Sequence, residues 1–411
     1  MQKFDLLIVG GGMVGLTLAL AIRKNANLTV AIVDTLPVGE LTIEPEVRVS
    51  AINIASQQIF VNLNVWSFIE TQRLQAYGHM HIWDKHGYGQ LDFDQSKVGE
   101  KQLGWIIENK VIRTALWQQA QADDGITFFT EQKLTSLGMG EHEVFASFAQ
   151  GLPLCAKLVV GADGAHSWVR EQMAMPISFQ DYDHHALVAT VEVTQEHQNT
   201  AWQVFLPEGP LAFLPLYQKN LSSIVWSTTP QEAVRLKALP REAFNKEITA
   251  ASDGKLGKIL LQSERFSFPL TMRLAHDFVK DKVVLVGDAA HTIHPLAGQG
   301  VNLGLLDAAA LAETIVAQHI AHKEINNTIA LKNYSRWRRS EASEMIAAMS
   351  AIKSLFSEQP FNLPSQPVKF FRGVGMSLLN NISPLKKVMI KQALGYKVHL
   401  PELAKKQDTL C

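Results

Sequence analysis

A glycine motif near the start of the chain is the first feature that could bind a ligand. Residues 10–15 read GGGMVG and fit the pattern G-x-G-x-x-G. In that pattern Gly10 permits a tight turn, Gly12 lets the backbone approach a pyrophosphate, and Gly15 lets a helix pack closely on a strand. Asp34, nineteen residues further on, can accept hydrogen bonds from a ribose diol. These residues predict an adenine dinucleotide site and leave FAD and NAD both open; a glycine-rich turn without a ligand is the alternative.

A second candidate site follows an apolar run far along the chain. Residues 282–286 read KVVLV, and Gly287 and Asp288 come directly after them. An ionised carboxylate at the end of a buried strand needs a partner, and the hydroxyl groups of a polyol ligand would supply one. The loop 294–304, HPLAGQGVNLG, then leads into a helix, whose N-terminus favours negative charge. A flexible loop before a helix is the alternative.

A third candidate is Asp163, in the segment GADGAHS at residues 161–167. Its carboxylate can cap the helix that follows or contact a ligand. The residues alone leave both roles open.

The elements that position these residues can be read from hydrophobic periodicity. A strand, a glycine turn, a helix and a second strand fill the first 34 residues, the length of a βαβ unit. From about 180 to 270, β-branched and aromatic runs follow one another without long helices, which predicts an antiparallel sheet. The predicted strands are 4–9, 28–34, 126–129, 144–148, 158–160, 186–193, 202–206, 211–216, 222–227, 265–268 and 282–286, and the predicted helices are 14–25, 110–120 and 303–316.

This order of elements predicts an α/β fold. We expect a Rossmann-like dinucleotide-binding domain, discontinuous in sequence, with an inserted antiparallel β-sheet substrate domain and a helical C-terminus. The first domain is expected at 1–75, 100–175 and 275–325, the inserted domain at 76–99 and 176–274, and the helical region at 326–411.

Composition excludes several classes of protein. Lys and Arg number 38 against 39 Asp and Glu, so no basic excess favours nucleic acid. The two cysteines, Cys155 and Cys411, are too few for a disulfide framework or a thiolate metal site, which favours a reducing cytosol. The chain has no signal-peptide pattern and no run of about 18 apolar residues, so we expect no membrane span.

The three glycine–acid segments together resemble a known family. Residues 10–15, 163–164 and 287–288, in this order, resemble the three fingerprints of single-component FAD aromatic hydroxylases, the para-hydroxybenzoate hydroxylase-like flavoproteins. More narrowly, HPLAGQGVNLGLLD at 294–307 resembles the signature of the ubiquinone-biosynthesis hydroxylases. The resemblance extends through 48–53, 109–117, 184–190 and 212–216, and the segment DYDHHAL at 181–187 is most similar to the 2-octaprenylphenol C5 hydroxylase branch.

The resemblance implies a set of FAD-binding residues. Gly10, Gly12 and Gly15 would hold the pyrophosphate. Asp34, which is Glu in some members, would bind the adenosine ribose. Asp163 would contribute to the binding of FAD and, as in relatives, of the nicotinamide cofactor. Asp288 would bind the ribityl chain. Arg48 and Arg113 would lie near the FAD phosphates and ribose, and the isoalloxazine ring would be bordered by Pro295, the one catalytic candidate, and by the backbone of Gly298, Gly300 and Asn302.

The resemblance also implies the reaction. Reduced flavin reacts with O2 to give a C4a-hydroperoxide, whose distal oxygen is attacked by an electron-rich phenol. NADPH, NADH or another reductant would supply electrons, and a polyprenylated phenol or quinol would be the substrate. C5 of 2-octaprenylphenol is the favoured ring position, with the C6 or C1 step of the same pathway as the alternative. A non-oxygenating FAD oxidase or dehydrogenase and an FAD-bearing scaffold subunit are the rival functions.

Several histidines are further candidates for a functional role. His79, His81 and His86 could form a metal cluster with Asp84, but surface histidines on an edge strand are favoured and no metal is expected. His184 and His185 begin a strand of the substrate domain, where either a pocket role or a structural role is open. The histidines that flank the 294–304 loop, residues 291 and 294, are expected to pack or to hydrogen-bond to the loop.

Positive charge concentrates toward the C-terminus. Between residues 331 and 399, eleven Lys or Arg accompany three Glu, a local balance of +8, and apolar residues recur at helical spacing at 371–378 and 385–389. Such a helix can lie on anionic lipid, contact a partner protein, or pack on its own domain with a solvated basic face. We therefore expect a cytoplasmic protein, with a peripheral position at the inner face of the membrane as an open possibility and the oligomeric state undetermined.

Overall fold

The computed structural model describes residues 1–37, 41, 45–85, 87, 89–293, 300–356, 394–397 and 399–406. The strands are β1 (Gln2–Val9), β2 (Val30–Asp34), β3 (Val49–Ile52), β4 (Leu74–Tyr77), β5 (His79–Asp84), β6 (Gln90–Asp94), β7 (Gly104–Glu108), β8 (Ile126–Thr130), β9 (Leu134–Met139), β10 (Val144–Phe148), β11 (Leu154–Gly161), β12 (Ile177–Val193), β13 (Thr200–Leu206), β14 (Gly209–Pro215), β15 (Leu221–Thr228), β16 (Ile259–Leu261), β17 (Phe266–Ala275), β18 (Val279–Lys280), β19 (Val283–Leu285) and β20 (His291–Thr292). The helices are α1 (Met13–Asn25), α2 (Ile54–Asn62), α3 (Trp66–Glu70), α4 (Asn109–Gln121), α5 (Trp168–Gln172), α6 (Pro230–Ala238), α7 (Arg241–Ala251), α8 (Gly300–Ile320) and α9 (Thr328–Phe356).

A mainly parallel sheet carries the N-terminal glycine motif. Its strand order is β18-β19-β11-β1-β2-β8, and β1 pairs in parallel with both β2 and β11. Leu6, Leu7 and Ile8 of β1 are fully buried, because helices cover both faces of a parallel sheet and its central strands are apolar throughout. The predicted βαβ unit and the return of the chain to this sheet through β19 are confirmed, and with them the α/β fold.

A second sheet has nine strands in the order β20-β17-β12-β15-β14-β13-β5-β6, with β16 also paired to β12. The predicted antiparallel sheet is confirmed, but its prediction is wrong in two respects. β5 runs parallel to β13, because β5 arrives from an earlier part of the chain and no hairpin turn forces the antiparallel direction. Two helices, α6 and α7, also interrupt the strands, and their apolar residues bury one face of the sheet.

The C-terminal region begins with the long helix α9, in agreement with the expectation of helix after residue 326. Residues 394–397 and 399–406 return to α2, where the Asn62 side-chain amide donates to the carbonyl oxygens of Leu403 and Lys405 at 2.8 and 3.1 Å. The basic and apolar residues at 369–391 lie outside the described residues. The proposed domain boundaries remain a prediction.

Helix α8 is long and apolar enough to cross a membrane by length and composition, which the sequence analysis did not anticipate. In the fold, 72% of the most apolar 18-residue segment of α8 is buried inside the protein. A core helix of a soluble fold passes the same test, and α8 packs against α1 on the parallel sheet.

Candidate functional site

The glycine loop between β1 and α1 has the shape that a dinucleotide requires. Gly10 has φ +110°, and a Cβ on it would lie 2.3 Å from the carbonyl oxygen of Ala162. A Cβ on Gly15 would lie 2.1 Å from the carbonyl oxygen of Gly10. By contrast, apart from its chain neighbours and its own helix, no atom of the described residues lies within 4 Å of a Cβ on Gly12. Gly10 and Gly15 therefore serve close packing, while Gly12 borders open space at the N-terminus of α1, where free N–H groups favour an anion.

Glycines bring the second motif to the same place. A Cβ on Gly287 would lie 3.2 Å from a methyl group of Val14, and one on Gly304 would lie 2.9 Å from the same methyl group. Val14 is in the first turn of α1. The Gly287–Asp288 turn and helix α8 thus approach the N-terminus of α1, although they lie far apart in sequence.

Asp34 has a structural role as well as the predicted ligand role. Its Oδ2 accepts hydrogen bonds from the backbone N–H of Gly11 at 2.8 Å and from the guanidinium of Arg113 at 3.2 Å, and Arg113 Nε donates to the Gly11 carbonyl at 2.8 Å. Its Oδ1 accepts from the N–H of Leu36. Each carboxylate oxygen can accept more than one hydrogen bond, so capacity for a ribose remains. Within the protein, Asp34 and Arg113 fix the glycine loop through their bonds to Gly11.

Asp288 has a carboxylate that can accept hydrogen bonds from a ligand. It lies in a 3₁₀ turn directly after β19, and its side chain is solvent-exposed while the rest of the turn is buried. Its carboxylate has no hydrogen bond or ion pair to any other described residue. Surrounding protein nevertheless raises its pKa by desolvation, which the charges of His291 and Arg273 only partly offset. A carboxylate with no partner among the described residues and a partly desolvated charge is suited to accept hydrogen bonds from ligand hydroxyl groups.

Asp163 makes the helix contact that the sequence allowed, and its ligand role stays a prediction. Its Oδ2 accepts from the N–H of Val169, at the start of α5, at 3.0 Å. Its Oδ1 is buried and has no hydrogen-bond partner within the described part of the chain. Burial raises the pKa of this carboxyl group. One oxygen thus caps a helix and the other is available to a ligand.

The remaining predicted residues have different positions. Arg48 is exposed, and only its backbone makes a hydrogen bond within the described residues, from the Asn109 N–H to its carbonyl. Gly300 begins α8, whereas Pro295 and Gly298 lie outside the described residues. Asn302 is 2% exposed, and its side chain bonds to the Asn53 N–H and the Ala51 carbonyl at 3.1 and 2.8 Å. The Asn302 side chain therefore ties α8 to β3 and α2.

A buried ion network behind the Gly287–Asp288 turn was missed by the sequence analysis. Asp307 of α8 is fully buried and accepts from the Gly287 N–H at 3.1 Å, from Arg338 Nε of α9 at 2.7 Å, and contacts His291 Nε2 of β20 at 2.5 Å. Burial opposes ionisation, but His291 and Arg338 outweigh it and lower the pKa of Asp307. The available signal was an aspartate inside the apolar run of α8, since an ionised group in a core needs partners.

Several histidines are occupied by protein partners. His184 has both ring nitrogens near backbone carbonyl oxygens, of Tyr182 at 2.8 Å and Glu208 at 2.9 Å, and His185 contacts Ser267. His81 lies between the Asp92 carboxylate at 2.5 Å and the Lys255 ammonium at 3.0 Å. Lys255 can only donate, so it uses the ring lone pair that a metal would need.

No cluster of three or more metal-binding side chains occurs among the described residues. His86, the third histidine of the metal hypothesis, lies outside them. The expectation of no metal remains a prediction.

The nine-stranded sheet turns a partly exposed apolar surface toward the parallel-sheet domain. The side chains of Ala201, Leu216 and Leu221 on this face enter the core of that domain. Other residues on the same face remain partly exposed, and together we call them the inner sheet surface: Ile82, Ala212, Val225, Phe268 and Met272. The opposite face is covered by α6 and α7.

These features fit FAD. Open space beside Gly12 and the helix N-terminus suit a pyrophosphate, Asp288 suits a polyol chain, and the buried, unpaired Oδ1 of Asp163 offers an acceptor. The inner sheet surface could cover an aromatic substrate and exclude water.

Comparisons with known proteins agree with this fit. The family model described as FAD binding domain matches residues 3–348. The 3-demethoxyubiquinol 3-hydroxylase of Escherichia coli (strain K12) is 33% identical over 395 residues, which cover 96% of this chain and 99% of the relative. The ubiquinone hydroxylase UbiL of Rhodospirillum rubrum is 34% identical over 391 residues, covering 95% of this chain and 89% of the relative.

Solved structures share the fold at lower identity. The p-nitrophenol 4-monooxygenase PnpA from Pseudomonas putida DLL-E4 superposes with a TM-score of 0.78 at 17% identity and covers 97% of this chain and 100% of its own. At that identity the likeness concerns the fold alone.

Proposed function

Because the chain belongs to the FAD-binding domain family and is an FAD-dependent aromatic hydroxylase, we propose that it hydroxylates the ring of a polyprenylated phenol or quinol in ubiquinone biosynthesis. The observation that carries this proposal is similarity over nearly the whole chain to relatives whose names assign them ubiquinone-ring hydroxylation. The apolar inner sheet surface supports it, since an uncharged aromatic ring with a hydrocarbon tail gains free energy by covering such a surface.

Residues of the parallel-sheet domain would hold the cofactor. Gly10, Gly12 and Gly15 would form the turn around the pyrophosphate, with the α1 N-terminus supplying N–H donors. Asp34 and Arg113 would hold the ribose end and Asp288 the ribityl hydroxyls. FAD, once reduced by a nicotinamide cofactor, supplies the activation of O2.

Other residues would orient these cofactor-binding residues. Asp307 fixes the turn that carries Asp288 through the Gly287 N–H. Asn302 fixes the first turn of α8 through its bonds to Ala51 and Asn53. The Arg48 side chain is exposed on the surface of the same domain and would approach the phosphates. Pro295, Gly298 and Gly300 would border the ring system.

We propose C5 of a 2-polyprenylphenol as the site of hydroxylation. The support is the segment 181–187, in which a β-bulge between Asp181 and His184 kinks β12. His184 is held there by two backbone carbonyl oxygens, and Tyr182 packs with Ala186 and Leu270 beside the inner sheet surface. The segment that carries the C5 resemblance would thus border the substrate.

Deletion of the gene tests the ring position. We expect 2-polyprenylphenol to accumulate, identified by mass spectrometry of extracted lipids. Accumulation of a demethoxyubiquinol instead would assign the reaction named for the Escherichia coli relative. An unchanged ubiquinone pool with no new intermediate would contradict the proposal.

We also propose that the enzyme works in the cytoplasm at the inner face of the membrane, because its substrate is confined to the bilayer. The support is the basic C-terminal region, with one correction: Arg338 is 1% exposed and pairs with Asp307, so it adds nothing to the surface charge. Lys332, Arg336 and Arg339 of α9 are exposed.

Charge reversal tests membrane docking better than truncation, because residues 399–406 pack on α2 and removing them would disturb the fold. Replacing Lys386, Lys387 and Lys391 with Glu should weaken sedimentation with anionic vesicles at low salt. Binding of the wild type should weaken as salt rises, because screening shortens the reach of surface charges. Wild-type protein that ignores vesicles would exclude lipid docking and favour contact with a biosynthetic assembly.

A further inference from the structure

Gln203 of β13 is a buried amide without a partner. Its side chain is 8% exposed, and it makes no hydrogen bond with any other residue that the structure describes. Buried amides are nearly always hydrogen-bonded, because an unmade bond costs the full desolvation of the group. The polar atoms of Gln203 are not among the fully buried, unpaired atoms of the described residues, so this amide can bond to water or to a ligand.

The strand pattern fixes the direction of this side chain. Trp202 and Val204, its neighbours in β13, pack with α6 and α7 on the covered face of the sheet. Ala201 enters the core of the FAD-binding domain on the other face. Since successive side chains of a strand point to opposite faces, Gln203 points toward the FAD-binding domain and lies on the inner sheet surface.

The neighbours of Gln203 on that surface are apolar. Its register partners are Ala212 on β14 and Ile82 on β5. The next residues across the sheet in the same row are Val225 beyond Ala212 and Leu91 beyond Ile82. Gln203 is thus the one hydrogen-bonding side chain in this row, and the row itself carries no charge; Asp84 lies one row further along β5 on the same face. Such a site suits an uncharged ring with a single hydroxyl group better than a carboxylate.

We propose that the Gln203 amide binds the ring hydroxyl of the phenolic substrate and so determines which ring orientation is accepted. The carbonyl oxygen of the amide accepts the phenol O–H, and the amide N–H₂ can donate to the phenol oxygen or to a neighbouring ring oxygen. The apolar row on either side covers the ring. This inference rests on the proposed function for its substrate class and adds a specificity-determining residue to it.

A binding measurement on the oxidised FAD-loaded protein tests the assignment. A short-tailed 2-prenylphenol and its O-methyl ether are titrated against the flavin absorbance spectrum. The wild type should bind the phenol about 3- to 10-fold more tightly than the ether, the range expected for one neutral hydrogen bond. Gln203→Met keeps the side-chain length without the amide and should lower this preference below about 2-fold. Gln118→Met, on the exposed side of α4, is the matched control and should keep it.

Gln203→Asn provides a second test if the methionine variant does not fold. It keeps the amide but withdraws it by one methylene, so the preference should again fall while FAD occupancy stays at the wild-type level. A folded Gln203 variant that keeps the full preference would overturn the assignment, as would a wild type that binds phenol and ether equally; a buried water would then satisfy the amide. If the wild type prefers the phenol but forms no hydroxylated product, the proposed function fails and the Gln203 assignment stands.

Discussion

Replacement of Asp307 by Asn should destabilise the protein by about 3–5 kcal/mol, the usual cost of removing one partner from a buried ion pair. The carboxylate receives the Gly287 N–H and Arg338 Nε and contacts His291. Arg338 and His291 are each 1% exposed, so neither can recover the lost interaction from water. Asn keeps the size of the side chain and removes its charge. Urea denaturation of the apo and FAD-loaded forms measures the loss.

The pH dependence of this loss follows from the lowered pKa of Asp307. A carboxylate with a folded-state pKa below its ordinary value of 3.8 stabilises the fold above that value and loses the contribution as the pH falls through the folded-state pKa. The difference in unfolding free energy between wild type and Asp307→Asn should therefore shrink as the pH falls below about 4. Asp281→Asn, in an exposed turn with φ +53° that Asn tolerates, is the control. A loss no larger than the control's, or one that grows on acidification, would refute the reasoning.

Three further outcomes follow from the site. The purified protein should be yellow, with one FAD per chain by absorbance after denaturation and no stoichiometric metal by elemental analysis; a colourless protein that FAD cannot reconstitute would contradict the cofactor assignment. Asp288→Ala should lower FAD affinity by roughly 1.5–3 kcal/mol per charged hydrogen bond removed, measured as FAD lost on dilution, while the apoprotein should not be destabilised, because Asp288 has no partner within the described residues and its charge is desolvated there. Asp34→Ala should lower both FAD affinity and apoprotein stability, since Asp34 also holds the Gly11 N–H and Arg113; unchanged apoprotein unfolding would exclude that structural role.

Local patterns allowed the sequence to predict part of the site. The glycine motif, Asp34 and Asp288 are found from strand, turn and helix signals that lie within a few residues of each other. Their convergence could not be read in the same way, because it depends on the close approach of Gly287 and Gly304 to Val14 in α1. The resemblance to a family supplied that connection.

Features that depend on distant pairing were missed. The Asp307 network joins β20, α8 and α9, and periodicity reports only that Asp307 interrupts an apolar run. The parallel pairing of β5 with β13 was missed because the two strands lie far apart in sequence, and local patterns do not report which distant strands pair. Helices α6 and α7 were missed because the β-branched runs around them dominate the composition of that region.

Incorporation of oxygen from O2 tests the central claim most directly. The FAD-loaded enzyme is supplied with NADPH, ¹⁸O₂ and a short-tailed 2-prenylphenol, and the product is analysed by mass spectrometry. The account predicts a ring-hydroxylated product that carries one ¹⁸O atom, formed only when the phenol, the reductant and FAD are all present. Oxidised product without ¹⁸O, or with oxygen from water, would contradict it and assign the protein to the flavin oxidases or dehydrogenases.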